Sequence, residues 1–284
     1  MNSNELFIIS IQRSGSNWLH RCLSEHSMIR INGELNVSMM LQTLDLVRAG
    51  DEISELKLKS TGIYKQAAQE YIRLLMRANT NASVDDEFTY LTDKSAYPGI
   101  TSLIKKPEQK QYAQTLNEYF PVAKKILILR NARDVVVSFS EWKKQNIGSL
   151  LIATPRSLKF FIRHLNNWCT LHESWLKNIE KNNNWHIINY EDMKNNFSDT
   201  LKKTYEFLEL EVNEKFISDV TEKWYGINNP VYQKENKERG YSFFRKGDIG
   251  EWQEKYAWWH KVIYNLLFKS RVEKIYLRIG RLNN

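Results

Sequence analysis

Short apolar runs alternate along the chain with longer segments in which apolar residues recur at helical spacing. Four runs, at residues 6–10, 88–92, 125–129 and 185–189, are rich in β-branched and aromatic residues and predict buried strands. Strands that alternate with helices predict an α/β fold, in which a single domain has a mostly parallel central sheet flanked by helices. In such a sheet, ligands bind beyond the carboxyl ends of the strands.

Three of the predicted helices each carry one apolar face, which we expect to pack against the core. Ser157 is a candidate N-cap for the second helix. The three faces consist of Ile63, Ala67, Tyr71, Leu74 and Leu75; of Leu158, Phe161, Leu165, Trp168, Trp175 and Ile179; and of Phe197, Leu201, Tyr205 and Leu208.

The composition is that of a folded protein with a large core. The 284 residues are 42% hydrophobic and 12% aromatic, which argues against disorder, and they predict one domain over residues 1–284. The formal net charge is +8, and residues 256–284 contain six Lys or Arg and one Glu. Residues 255–284 are therefore predicted to form a basic helical tail, either a solvated amphipathic helix or a patch for a membrane or nucleic acid.

Cysteine usage and the absence of targeting signals indicate the compartment. The two cysteines, Cys22 and Cys169, fall in apolar helical patterns and are predicted to be buried free thiols in a reducing environment. No signal-peptide pattern and no run of transmembrane length is visible. We therefore expect a cytoplasmic location and no stable membrane insertion.

Residues 5–23 combine a strand, a small polar turn and a helix start, which together make an anion site. Backbone N–H groups at a helix start have no partner within the helix, and the helix dipole favours negative charge there. Gly15 lets the backbone approach a ligand closely, and Arg13 adds a permanent cation. Both the first Gly and the Lys-Ser/Thr end of a Walker A loop are missing. An ordinary strand-to-helix turn is the alternative.

Two further stretches supply cations for an anion. Arg130 follows a predicted strand, and Ser138 lies within the first two turns of the next helix, so both can reach one anion; a structural ion pair between Arg130 and Asp134 is the alternative. Arg245 and Lys246 stand beside Gly247, in a loop that can close over a phosphate or simply form an exposed basic turn.

These stretches together resemble the sulfotransferase family, which uses 3′-phosphoadenosine 5′-phosphosulfate (PAPS). The sequence RSGSNW at residues 13–18 resembles its phosphosulfate loop, and Arg130 and Ser138 resemble its 3′-phosphate motif. Residues 245–252, RKGDIGEW, and residues 189–194, NYEDMK, are similar to two segments of the cytosolic branch. The four motifs occur in the family's order over residues 6–252, so the resemblance implies the family's fold with a P-loop-like phosphosulfate-binding loop.

The resemblance also implies which residues bind PAPS. It assigns the 5′-phosphosulfate to Arg13, Ser14, Gly15, Ser16, Asn17 and Trp18. It assigns the 3′-phosphate to Arg130, Ser138, Arg245, Lys246 and Gly247, and contacts to adenine to Trp18, Tyr190, Thr221 and Trp224. No metal is implied, and no Cys/His cluster has the spacing of metal ligands.

One departure from the cytosolic branch concerns the catalytic base. Lys94 matches that branch's K-T-H segment, but Ala96 stands where the His would be. Glu34 follows Asn32 and Gly33 after the first helix, which resembles the G-E-E segment of protein-tyrosine sulfotransferases, and the resemblance makes Glu34 the predicted base. A surface Glu in a glycine turn is the alternative. His20 and His26 are other candidate bases.

The predicted reaction is in-line transfer of a sulfuryl group from PAPS to a hydroxyl of a small-molecule acceptor. Glu34 accepts the proton, while Lys94 and Arg13 neutralise the charge that grows on the leaving phosphate and the sulfuryl oxygens. An amine or a glycan acceptor stays open, as does the oligomeric state. The competing classes are a P-loop-type nucleotide kinase and a basic nucleic-acid-binding protein without catalysis; no nucleic-acid partner is expected for the sulfotransferase.

Overall fold

The computed structural model describes residues 4–50, 61–80, 87–97, 111–142, 154–180, 182–225, 230–239 and 247–282. Its strands are β1 (Asn4–Ile11), β2 (Ile29–Ile31), β3 (Tyr90–Tyr97), β4 (Lys124–Leu129) and β5 (Trp185–Asn189). Its helices are α1 (Ser16–Leu23), α2 (Val37–Gly50), α3 (Thr61–Thr80), α4 (Tyr112–Tyr119), α5 (Ala132–Trp142), α6 (Pro155–Ile179), α7 (Tyr190–Asn195), α8 (Phe197–Phe207), α9 (Glu214–Trp224), α10 (Pro230–Arg239), α11 (Trp252–Lys255), α12 (Trp258–Leu267) and α13 (Lys269–Leu282).

The five strands form one parallel sheet in the order β2-β3-β1-β4-β5, which confirms the predicted fold class. All four predicted strands are present. β3 runs to Tyr97, so Lys94, which was predicted to follow a strand, lies within it. The chain leaves β1 towards β2 and β3 on one side, and β4 adds to the other side. The loop after β1 therefore lies where the strand order reverses, which is the usual ligand position in such sheets.

Helices cover both faces of the sheet because successive side chains of each buried strand point to opposite sides. Phe7 and Leu127 face one core, to which α2 and α6 contribute. Leu6 and Ile126 face the other core, to which α1, α8 and α9 contribute. The predicted face of α8 is confirmed, and so is that of α6 apart from Leu158, which is only half-buried. Cys22 and Cys169 are buried free thiols, as predicted.

The predicted buried face of α3 is wrong. The helix forms, but Ile63, Tyr71 and Leu74 are 69%, 48% and 65% exposed. The buried side chains are Ala68, Ile72 and Met76. The helix is apolar over two adjacent sectors, so its periodicity does not reveal which sector packs. Two long-range hydrogen bonds, which no periodicity encodes, accompany the observed rotation. Arg73 Nε donates to Glu5 Oε1, and Gln69 Nε2 donates to the carbonyl oxygen of Tyr119.

The N-cap of α6 is Thr154 instead of Ser157. Thr154 Oγ1 accepts a hydrogen bond from the Ser157 amide at 3.2 Å, and Ser157 Oγ accepts one from the Thr154 amide at 3.2 Å. This is a capping box, in which Ser157 takes the third helical position. Pro155 at the first helical position explains the earlier start, since its ring already has a helical φ.

The basic C-terminal residues pack on the rest of the protein through α12 and α13. Tyr264, Phe268 and Val272 belong to the same core as α6. Arg271 makes two hydrogen bonds of 2.8 Å to the carboxylate of Glu173, so part of the positive charge is paired on α6. Within the described ranges, no helix is long and apolar enough to cross a membrane.

Four buried histidines and the half-buried His186 predict that the protein loses stability in mild acid. Burial lowers the pKa of His20 and His164 to about 3, and that of His172, His186 and His260 to about 4. In the unfolded chain each imidazole has a pKa near ~6.5, so between pH ~4 and ~6.5 the unfolded state binds more protons. The free energy of unfolding therefore falls as the pH drops through this window, by about 1.4 kcal/mol per pH unit for each extra proton.

Urea unfolding at pH 7.5, 6 and 5 measures this slope. His172→Phe replaces a fully buried imidazole between Trp168 and Trp175. It is expected to reduce the slope of the unfolding free energy against pH by up to about 1.4 kcal/mol per pH unit, the value of one proton. A free energy of unfolding that does not change between pH 7 and pH 5 would contradict the prediction.

Candidate functional site

The loop from β1 to α1 presents the start of a helix at the carboxyl end of the central strand. Gly15 caps α1 with φ 94°, and its carbonyl oxygen accepts hydrogen bonds from the amides of Trp18 and Leu19. Arg13 is also left-handed, with φ 74°. Ser14 is fully buried, yet its Oγ meets no hydrogen-bond partner among the described residues. A buried, unpaired hydroxyl beside free helix N–H groups is the donor set that an anion requires.

Arg130 connects the loop after β1, which contains Arg13, to the stretch of residues 245–252. It follows β4, and its Nη1 and Nη2 donate to the carbonyl oxygens of Arg13 at 2.9 Å and Asp248 at 3.0 Å. Its guanidinium lies 4.3 Å from the ring centre of Tyr190. Its Nε is buried and has no partner among the described residues, so one donor of the fork stays available to a ligand. Ser138, on α5, accepts a hydrogen bond of 3.2 Å from Arg13 Nε.

Asp134 binds the backbone of the third predicted stretch, residues 245–252, and forms no ion pair with Arg130 among the described residues. Its Oδ2 accepts from the amide of Gly250 at 2.9 Å, and its Oδ1 accepts from the amide of Trp252 at 3.2 Å. These contacts argue against the alternative in which Arg130 and Asp134 form a structural ion pair. They tie residues 247–252 to the first turn of α5.

Tyr190 packs between Gly15, in the loop after β1, and Gly247, in the stretch of residues 245–252. Its hydroxyl donates to the carbonyl oxygen of Gly247 at 2.7 Å. A Cβ atom at Gly15 would lie 2.6 Å from Tyr190 Cδ2, and one at Gly247, where φ is 65°, would lie 2.7 Å from the Tyr190 hydroxyl. Both glycines are therefore required by the approach of one aromatic side chain. Arg245 and Lys246, the two cations predicted for this loop, lie outside the described residues.

Lys94, Glu34 and Asn17 form a second polar group on the other side of the loop. The side chain of Lys94 is nearly buried, and its Nζ donates to Asn17 Oδ1 and to Glu34 Oε1. Glu34 is 44% exposed at its side chain, so its carboxylate can meet both Lys94 and a molecule from solvent. The predicted base, the predicted lysine and the predicted phosphosulfate loop thus lie in contact.

The two alternative bases are engaged elsewhere. His20 is buried, its Nε2 lies 3.1 Å from Thr92 Oγ1, and burial together with the charges of Lys94 and Arg21 lowers its pKa to about 3. His26 Nδ1 accepts from the amide of Met28 at 3.2 Å, and its Nε2 lies 3.4 Å from the carbonyl oxygen of Glu211. Among the described residues, no hydrogen bond or ion pair joins either ring to Lys94, Glu34 or Asn17.

Aromatic side chains gather beside the start of α1. The half-buried Trp18 stacks on Phe197, with ring centres 5.0 Å apart, and meets Tyr190 edge-on at 5.9 Å. Its Nε1 donates to the carbonyl oxygen of Trp224 at 3.0 Å, whereas Thr221 Oγ1 donates within its own helix to Ile217 at 2.7 Å. The sequence pattern placed Phe197 in the core, and nothing in the pattern indicated that its ring would support Trp18.

Comparisons with known proteins give one consistent result. The model of the Sulfotransferase family matches residues 5–214. Sulfotransferase 2A6 from Mus musculus is 28% identical over 207 residues, which are 64% of this chain and 70% of that protein. Sulfotransferase 6B1 from Danio rerio is 29% identical over 147 residues, which are 49% of each chain.

Solved structures share the fold. The mouse sulfotransferase SULT7A1 complexed with PAP superposes with a TM-score of 0.62 and 17% identity, covering 100% of this chain and 89% of that one. The sulfotransferase domain of the Synechococcus PCC 7002 olefin synthase has a TM-score of 0.56 and 16% identity, covering 99% and 96%. At these identities the superpositions establish the architecture alone.

The close approach of Tyr190 predicts that Gly15→Ala is strongly destabilising. Alanine at φ 94° costs about 1–2 kcal/mol, and its overlap with the Tyr190 ring adds about 1–3 kcal/mol. Gly280→Ala in α13 is the matched control, because a Cβ there meets nothing within 4 Å and the substitution is expected to stabilise the helix by up to about 1 kcal/mol. Urea unfolding of both variants measures the difference, and equal stabilities would contradict the assigned packing.

Proposed function

Because the chain belongs to the sulfotransferase family, we propose that it transfers a sulfuryl group from PAPS to a hydroxyl of a small-molecule acceptor and releases adenosine 3′,5′-bisphosphate (PAP). The observation that carries the proposal is the convergence of three separate donor stretches through Arg130, which bonds to both Arg13 and Asp248. The family match supports neither the nucleotide-kinase nor the nucleic-acid-binding alternative.

The donor set fits the two charged ends of PAPS. We assign the 5′-phosphosulfate to the loop of residues 13–17, where the α1 amides and the unpaired Ser14 hydroxyl are available. We assign the 3′-phosphate to Arg130, whose Nε is unpaired, with Ser138 and Gly247 beside it. Arg245 and Lys246 adjoin Gly247 in the sequence and belong to the same assignment. That a mouse relative is complexed with PAP supports it.

The adenine is assigned to the aromatic side chains beside α1. The indole of Trp18 is half-buried, and one of its faces stacks on the ring of Phe197. Trp224 fixes the indole through its carbonyl oxygen. Tyr190 and Thr221 complete the predicted set, although in this structure their hydroxyls donate to Gly247 and Ile217.

The reaction follows from the group around Glu34. The acceptor oxygen forms a bond to sulfur as the bond between sulfur and the 5′-phosphate oxygen breaks, and the electron pair leaves with the phosphate. The Glu34 carboxylate accepts the hydroxyl proton, because that hydroxyl becomes acidic as the new bond forms. Lys94 orients the carboxylate and, with Arg13, neutralises charge on the leaving phosphate and the sulfuryl oxygens.

We also propose a compartment and a domain organisation for the enzyme. The two free cysteines favour the cytoplasm. We take residues 1–284 as one catalytic domain that includes the basic tail of residues 255–284, since α12 and α13 share their core with α6.

The role of Glu34 as proton acceptor can be tested by substitution. Glu34→Gln and Lys94→Ala are expected to lower kcat for sulfuryl transfer from PAPS by about 10²- to 10⁴-fold, because each removes a group that acts in the transition state. Glu214→Gln and Lys202→Ala are the matched controls, since they remove the partners of an exposed ion pair on α8 and α9. Near-normal turnover of Glu34→Gln would remove Glu34 from this role.

Recognition of the 3′-phosphate by Ser138 can be tested in the same way. Ser138→Ala is expected to weaken PAP binding by about 10- to 150-fold, the value of one hydrogen bond to a charged group, and to weaken adenosine 5′-phosphate binding much less. Ser218→Ala on the exposed side of α9 is the control. Calorimetric titration with both nucleotides gives the ratio, and equal losses for the two would exclude Ser138 from the 3′-phosphate site.

A further inference from the structure

The segment that carries Glu34 crosses the carboxyl end of the sheet between β2 and α2. Its residues have no regular secondary structure, so other contacts must fix the height and direction of Glu34. The Oδ1 atom of Asp93 accepts from the amide of Leu35 at 2.9 Å, and the Oδ2 atom accepts from the amide of Val37 at 3.1 Å. One carboxylate therefore binds the backbone immediately after Glu34 at two points.

The bend between those two amides aims them at the same carboxylate. Asn36 lies between Leu35 and Val37 and has φ 56°, a left-handed conformation that Asn tolerates better than most residues. Its carbonyl oxygen then accepts from Met39 at 2.9 Å and starts α2. The Asp93 carboxylate also lies at the start of this helix, where the dipole favours negative charge.

Both carboxylate oxygens of Asp93 are occupied by hydrogen bonds from the protein. It is only 2% exposed, and its third donor is Ser95 Oγ at 2.9 Å. Among the described residues its hydrogen-bond donors are thus two backbone amides and one hydroxyl. A carboxylate so deeply buried is costly to ionise, and burial raises the pKa of Asp93. Such a cost is acceptable where the group satisfies several donors at once.

Asp93 and Lys94 act on Glu34 from the two faces of one strand. Successive residues of β3 point to opposite sides, so Asp93 meets the backbone on the side of α2, while Lys94 meets the side chain on the side of α1. Resting on the proposed role of Glu34 as base, we propose that Asp93 is a positioning residue for this reaction, which fixes the backbone that carries Glu34.

The test is Asp93→Asn, alone and combined with Glu34→Gln. The amide has one acceptor, so in either orientation its NH₂ group opposes the amide of Leu35 or of Val37 and releases one end of the segment. We expect kcat to fall about 10- to 100-fold while KM for PAPS and the affinity for PAP stay within about twofold. In the Glu34→Gln background, Asp93→Asn is expected to cause no further loss.

Ser95→Ala is the matched control, because it removes a donor to Asp93 without touching the segment, and it should retain kcat within about threefold. If Asp93→Asn does not fold, an ester replacing the amide at Leu35 removes that N–H while leaving every side chain in place, and it should reproduce the loss of kcat.

The outcomes separate this inference from the proposed function. A wild-type protein that transfers no sulfuryl group from PAPS would refute the proposed function, and an active Glu34→Gln variant would refute the role of Glu34 as base. Loss of activity in Glu34→Gln with normal kcat in Asp93→Asn would overturn the positioning role alone. Equal, additive losses of kcat and PAP affinity, in both backgrounds, would assign Asp93 to general stability and overturn the inference as well.

Discussion

The site depends on the two hydrogen bonds of Arg130 to backbone carbonyl oxygens. These bonds join Arg130 to Arg13 in the loop after β1, 117 positions before it, and to Asp248, 118 positions after it. A carbonyl contact carries no side-chain specificity, yet it fixes the planar guanidinium so that its remaining Nε points in one direction. The Tyr190 ring beneath the guanidinium adds a cation–π contact and removes water from one side. A permanent cation is thus held in place without being neutralised, which an anion site requires.

Parallel strands explain why such distant residues meet. The carboxyl ends of β1, β3 and β4 lie side by side. Arg13 and Arg130 lie just beyond the ends of β1 and β4, and Lys94 lies three residues before the end of β3. The sheet therefore supplies the cations from its rigid centre, while the segments that carry Glu34 and Gly247 cross above it. Asp93 and Asp134 hold those two segments in the same way, each by accepting two backbone amides. Two buried acids therefore fix the backbone on both sides of the site.

The sequence predicted the fold class, four of the five strands and the three converging stretches, because buried strands and phosphate-binding turns have strong local patterns. It did not predict the strand Ile29–Ile31, which is too short for its periodicity to be recognised. The prediction chose the wrong face of α3, since Ile63 and Ile72 are equally apolar and the packed face depends on contacts far along the chain, such as those with Glu5 and Tyr119. The roles of Asp93 and Asp134 depend on amides far along the chain, and no local pattern encodes such partners.

The position of Tyr190 between Gly15 and Gly247 has a consequence for how this protein can vary over evolutionary time. One glycine touches the ring and the other touches the hydroxyl, so the three positions share one small volume. A side chain larger than hydrogen at either glycine fits only if residue 190 becomes smaller, and a smaller residue 190 leaves a void beneath Arg130. We therefore expect homologous chains to keep all three residues or to exchange them together, so that covariation among these positions would record a contact visible only in three dimensions.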